Sequence, residues 1–146
     1  MRTVLDEAER HALLERVGRL APGFTPVEGS LTAQRMLCHI SDQLAVALGD
    51  IPGTRRDTSF TRTFGKWFVL YAPVRIPFGR VGTVPEMLTT EPSEWAADVA
   101  RVESLLMRFV DADRVAAHAV FGRLTHREWG ILTATHIDHH LRQFGV

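Results

Sequence analysis

An all-α fold follows from three features of the sequence. Apolar residues recur at helical spacing along five segments, no strand-like alternation runs longer than a few residues, and the clearest start signal in the chain is a helix capping box. At 146 residues the chain is long enough for one sizeable core and too short for two, so residues 1–146 read as a single domain.

The first helix is expected from about Val4 to Leu20, where Leu5, Ala8, Ala12, Val17 and Leu20 recur before Pro22 and Gly23. The second runs from about Thr32 to Leu48 and stops at Gly49 and Pro52. Between about Phe60 and Ala72 a shorter helix carries Phe64, Trp67, Phe68 and Tyr71 on one side, an aromatic stripe that suits a core or a dimer interface better than a membrane or ligand surface. The stretch Pro73 to Pro92 contains four of the seven prolines and reads as an ordered loop, and Gly79 and Gly82 within it form no phosphate-binding pattern. A fourth helix opens near Pro92, with Trp95, Val99, Val102, Leu106 and Phe109 stepping by fours and threes along a core-facing stripe. In the last helix Thr125 and Glu128 form the capping box, Leu124 and Trp129 flank it as a hydrophobic staple, and Gly145 offers the stop. Four substantial amphipathic helices and one short one satisfy what a helix bundle needs, since each must bury a face against the others.

Composition excludes several functions. Lys plus Arg and Asp plus Glu both number 17, giving zero formal net charge, so the basic footprint of a nucleic-acid binder is missing and an anionic membrane surface is a poor partner. Zero charge also removes the repulsion that opposes self-association. The single cysteine, Cys38, rules out an intrachain disulfide and is read as a small buried hydrophobe. The opening MRTVLDEAER has acids where a signal peptide needs an apolar stretch, and the apolar run Trp67 to Val74 is too short to span a bilayer. A soluble, cytoplasmic protein is the expectation.

The segment Thr135-His136-Ile137-Asp138-His139-His140 places three histidines in five residues, which packing alone does not explain. At about 100° per residue, and taking Trp129 as zero, His136 falls near 340° and His140 near 20°, while His139 falls near 280° at the border of the buried face. His136 and His140 can therefore aim at one ion, with His139 on the flank. A third ligand has to come from another helix, and His39, at the edge of the face formed by Met36, Ile40, Leu44 and Ala47, is the candidate. Three neutral imidazoles suit zinc, nickel, copper or iron and leave a coordination position open, as catalytic zinc sites do. His11 reads as a surface residue, His126 sits in a first turn where a cation is disfavoured, and His118, in the loop before Phe121, reads as a bystander. No residue stands out as general acid or base, and no other cofactor motif is present.

The run Phe121-Gly122-Arg123-Leu124-Thr125, then Glu128-Trp129-Gly130, then His136 to Gly145, resembles the DinB-like superfamily of metal-dependent enzymes, and helix order with Leu31-Thr32-Ala33 to His39 agrees with it. The resemblance implies a four-helix bundle of up-down-down-up topology, here with one extra short helix, usually dimeric. It also implies a metal held by one histidine of the second helix and a pair four apart on the last, which map onto His39, His136 and His140. Relatives with known chemistry transfer or isomerise small molecules using low-molecular-weight thiols. The expected function is accordingly a metal-dependent hydrolase or thiol-dependent transferase acting on a small molecule, with zinc or nickel as cofactor and a homodimer as assembly. The rival expectation is a non-catalytic metal-binding or dimerisation module.

Overall fold

The computed structural model describes residues 1–72 and 84–146. Within them the chain forms α1 (Glu7–Gly18), α2 (Ala33–Leu48), α3 (Lys66–Tyr71), α4 (Trp95–Val110) and α5 (His126–Gln143). A wide π turn, Thr61–Gly65, leads into α3, and a 3-10 turn, Pro85–Met87, precedes α4. The described residues contain no strand, only an isolated bridge between His118 and Gly122, so the all-α expectation holds. Gly79, Gly82 and much of the Pro73 to Pro92 interval lie outside the described residues.

α2 is the central element. It packs against α4, α5 and the Pro85–Met87 turn, while α1 lies on α5 and α4, and α3 lies on α5. Met36, Leu37, Ile40 and Leu44 of α2 are fully buried with Leu106 and Phe109 of α4, Leu13 of α1, and Trp129, Ile137 and Leu141 of α5. A helix buried nearly all round must also satisfy its polar residues internally. Asp42, 1% exposed, does so by accepting hydrogen bonds from the Thr89 and Thr90 amides at 2.7 and 3.0 Å and from the Thr90 hydroxyl.

Helix ends follow local chemistry. Thr32 caps α2 by accepting from the Arg35 amide, and Gly49 closes it at φ 84°, a conformation that favours glycine. The Thr125 and Glu128 capping box opens α5 as the sequence foretold, with Leu124 and Trp129 both buried. Three limits differ from expectation, and one is α3, which is α-helical only from Lys66, after the π turn, rather than from about Phe60. α1 begins at Glu7 because Asp6 accepts from the Glu9 amide as N-cap. α4 begins at Trp95, not near Pro92, because buried Asp98 reaches back to the Ser93 amide and hydroxyl at 2.9 Å each and also accepts from Gln34 at 2.8 Å.

α5 is tied down along its length. The Val4 amide donates to the Gly130 carbonyl at 3.2 Å, and a Cβ at Gly130 would stand 2.5 Å from Thr3 Oγ1. The Trp129 indole donates to the Ala116 carbonyl at 2.8 Å. Further along, Asp138 accepts from Arg16 of α1 at 2.7 Å and from Arg142 at 2.9 Å. The aromatic stripe corrects part of the reading: Phe64, Trp67, Phe68 and Tyr71 are 70%, 59%, 54% and 39% exposed, so they are not core, and Leu70 is the buried anchor of α3.

Candidate metal centre

α2 and α5 bring together the three residues singled out in the sequence. The ligand-capable atoms of His39, His136 and His140 all lie within 4.8 Å of one another. His136 Nε2 is 2.9 Å from His39 Nε2 and 3.1 Å from His140 Nε2. Two nitrogens each about 2.0–2.1 Å from a common ion, at coordination angles of ~90–110°, are roughly 3 Å apart, so the two spacings to His136 fit a shared cation.

The outer nitrogens decide the tautomers. His39 Nδ1 lies 2.8 Å from the Met87 carbonyl oxygen, which only accepts, so Nδ1 carries the proton and Nε2 presents a lone pair. His140 Nδ1 donates in the same way to Gln143 Oε1 at 2.7 Å. Both lone pairs face His136 Nε2, and a single proton there could serve only one of them. The protein therefore gathers electron pairs where nothing of its own neutralises them both, while carbonyl-type acceptors orient the ligand rings from behind, as in known metal sites. His136 lacks such a brace: its Nδ1 is buried without a hydrogen-bond partner among the described residues.

The surroundings keep the triad uncharged. Burial pushes His39 below the ordinary histidine range, against the opposing effects of the Met87 carbonyl and Asp42. Burial and then its two histidine neighbours hold His136 well below that range, and burial with His39 lowers His140 to about 3. Neutral imidazole is the ligating form.

His39 is 3% exposed, which corrects its expected place at the margin of a face. The Pro85–Met87 turn covers it, a contact from outside α2 that the periodicity of α2 does not register. His139, half-buried, lines the adjacent cavity without joining the cluster, and Asp138 turns away to Arg16 and Arg142. Cys38 is buried and its thiol is raised by that burial, as suits a small hydrophobe. Among the described residues no fourth Cys, His, Asp or Glu completes the group.

A cavity of about 180 Å³ opens beside the triad, walled by apolar Val69, Met87, Phe121 and Leu132 and by polar Gln43, Thr135 and His118. His118 thus corrects the bystander reading: the turn closed by the paired His118 and Gly122 backbones, at 2.8 and 2.9 Å, folds its ring over the cavity. Gly122 takes φ 67°, and a Cβ there would meet Arg62 at 3.1 Å. That glycine was the available signal for a tight turn, and Gln43, four residues after His39, shares its helix face; neither was drawn into the site by sequence reading. A larger cavity of about 440 Å³ lies on the other side of this turn, but Asp57 already occupies the guanidinium groups of Arg55 and Arg62 that line it.

The family of proteins of unknown function designated DUF1569 matches residues 5–145, nearly the whole chain. The chain belongs to the DUF1569 family. No curated protein and no solved structure matches it. In this DUF1569 chain the matched span includes all three histidines of the cluster. Among its described residues no helix is long and apolar enough to cross a membrane.

Proposed function

We propose that this DUF1569 protein is a metal-dependent enzyme acting on a small molecule, of hydrolase or thiol-dependent transferase type, with His39, His136 and His140 holding one zinc or nickel ion. The observation that carries this reading is the convergence of three Nε2 atoms, two with lone pairs fixed inward by Met87 and Gln143, beside a cavity. A divalent ion there supplies Lewis acidity, polarising a substrate group or lowering the pKa of water towards about 7. The chain's own residues do the rest: Met87 and Gln143 pre-set the rings, and the apolar wall keeps bulk water from the reacting group. A low-molecular-weight thiol is one substrate class whose sulfur would fill an open position on such an ion.

A DinB-like four-helix bundle of up-down-down-up topology, with α3 as the extra short helix, belongs to the same proposal. It is supported by the mutual packing of α1, α2, α4 and α5 and by histidines contributed from the second helix and, four apart, from the last. The second reading, a non-catalytic metal-binding or dimerisation module, is favoured by the exposed aromatic face of α3.

Metal analysis of the purified protein tests the site. We expect one ion per chain, most of it lost in His39→Ala, His136→Ala and His140→Ala and retained in His139→Ala. Metal binding to the native state adds RT ln(1 + [L]/Kd), about 2.7 kcal/mol at a hundredfold excess over Kd. Chelation should therefore lower the wild-type melting temperature clearly and that of His39→Ala much less. Equal occupancy in all four variants would remove the site, and an ion closed off by a fourth protein ligand would favour the non-catalytic reading.

A further inference from the structure

Two polar groups in the cavity wall are buried and have an atom to spare. His118 is 8% exposed, and its Nδ1 accepts hydrogen bonds from the Val120 and Phe121 amides, both at 3.1 Å. With Nδ1 committed as acceptor twice over, the ring proton sits on Nε2, and no hydrogen bond to Nε2 is found among the described residues. The ring is held by stacking on Phe121, with centroids 4.7 Å apart, and by Trp129 at 5.0 Å. Burial lowers its pKa to about 4, so at neutral pH it is an uncharged donor. Gln43 is 2% exposed, and its Nε2 donates to Thr133 Oγ1 at 3.1 Å. Its Oε1 is buried without a partner.

An unpaired buried acceptor is costly and uncommon, and here the residue that carries it, Gln43, lines the same small cavity as His118, a fixed donor, and the histidine triad. The geometry points to a ligand-recognition pair: His118 Nε2–H donates to an acceptor atom of the substrate, and Gln43 Oε1 accepts from an N–H or O–H of the same molecule. This inference rests on the metal-site reading and specifies the substrate class for it. The ligand is a small, largely apolar molecule with an amide-like donor and acceptor next to the atom that meets the ion. A simple thiol with no such pair would leave Gln43 Oε1 unsatisfied. Neither residue ligates the ion, so both are positioning groups whose loss spares metal uptake.

The test uses cobalt(II)-loaded protein, whose visible spectrum reports ligands entering the coordination sphere. Two probes are compared: acetohydroxamate, which offers both an N–H and acceptor oxygens, and N-methylacetohydroxamate, which lacks the N–H. Wild type should bind acetohydroxamate tenfold or more tightly than the N-methyl compound, the order expected for one buried hydrogen bond. Gln43→Met should erase that preference while keeping cobalt stoichiometry. His118→Leu should weaken both probes about tenfold, and His118→Gln, which retains a side-chain N–H, should recover much of the loss. No preference in wild type overturns the inference without need of any variant. A preference that survives in Gln43→Met traces it to size and overturns it equally. Wild type that takes up no cobalt fails earlier, at the metal site itself, and is thereby distinguishable from a metal-loaded protein indifferent to the N–H.

Discussion

At the scale of single residues, what distinguishes the triad from three packed histidines is the state of their outer nitrogens. Gln143 is the instructive case, since it lies beyond the motif yet fixes the tautomer of His140 across 2.7 Å. It is itself held from behind: Gly29, at φ 97°, passes so close that a Cβ would stand 3.2 Å from Gln143 Nε2, and the Val27 amide donates to the Gln143 carbonyl at 2.7 Å. Outer partners of ligating histidines typically contribute about 10- to 100-fold in metal affinity. Gln143→Ala should therefore bind the same number of ions with affinity reduced by about that factor, measured by competition with a chromophoric chelator. Unchanged affinity would show that the brace is incidental. That His136 and His140 share one side of α5 was legible in the sequence because spacing four along one helix is a local fact. The braces were not, because Met87 and the passing of Gly29 come from loops whose course no helical periodicity encodes.

At the scale of elements, α5 carries two of the three histidines, and one contact that sets its position lies at Gly130, about 100° round the helix from them. The segment Thr3 to Leu5 crosses it at Gly130, where a methyl group would stand 2.5 Å from Thr3 Oγ1 and 3.0 Å from Leu5 Cγ. Alanine favours helices over glycine by roughly 1 kcal/mol, yet overpacking at such a contact costs about 1–3 kcal/mol. Gly130→Ala should thus be destabilising despite its better propensity, by about 1 kcal/mol or more in denaturant titration. A stabilised variant would mean that the segment moves aside freely. The same contrast governs which helix limits could be read in advance. The Thr125 and Glu128 box is self-contained and α5 starts where it says; the start of α4 depends on Asp98 meeting Gln34 of α2, and sequence reading set it too early. For α3 the stripe was legible, but its exposure was not, since one helix cannot announce which of its faces finds a partner.

At the scale of the whole molecule, zero formal net charge meets an exposed row of Phe60, Phe64, Trp67 and Phe68. Large exposed apolar side chains gathered on one short segment suit an interaction surface. We expect a homodimer through this face, seen by sedimentation at roughly tens of micromolar. Trp67→Glu should shift it to monomer without changing metal content. Monomer alone in the wild type at that concentration would count against the assembly.

The bonding between Asp42 and the chain after Met87 extends to time as well as place. Thr89 and Thr90 lie outside any helix, yet both amides are bonded to a carboxylate that is 1% exposed. Their protons can reach solvent only if the segment peels from α2, and the neighbouring Met87 carbonyl is held by His39. Amide hydrogen exchange should consequently be slow at these two threonines, at rates usual for packed helices. An ion bound through His39 makes the peeling harder still, so chelation should quicken exchange at Thr89 and Thr90 far more than at Leu106 in the core. Rapid exchange at both threonines in the metal-loaded protein, or an equal response at Leu106, would contradict it. Two amides with no part in any chemistry would then act as a clock for the occupancy of the histidine triad.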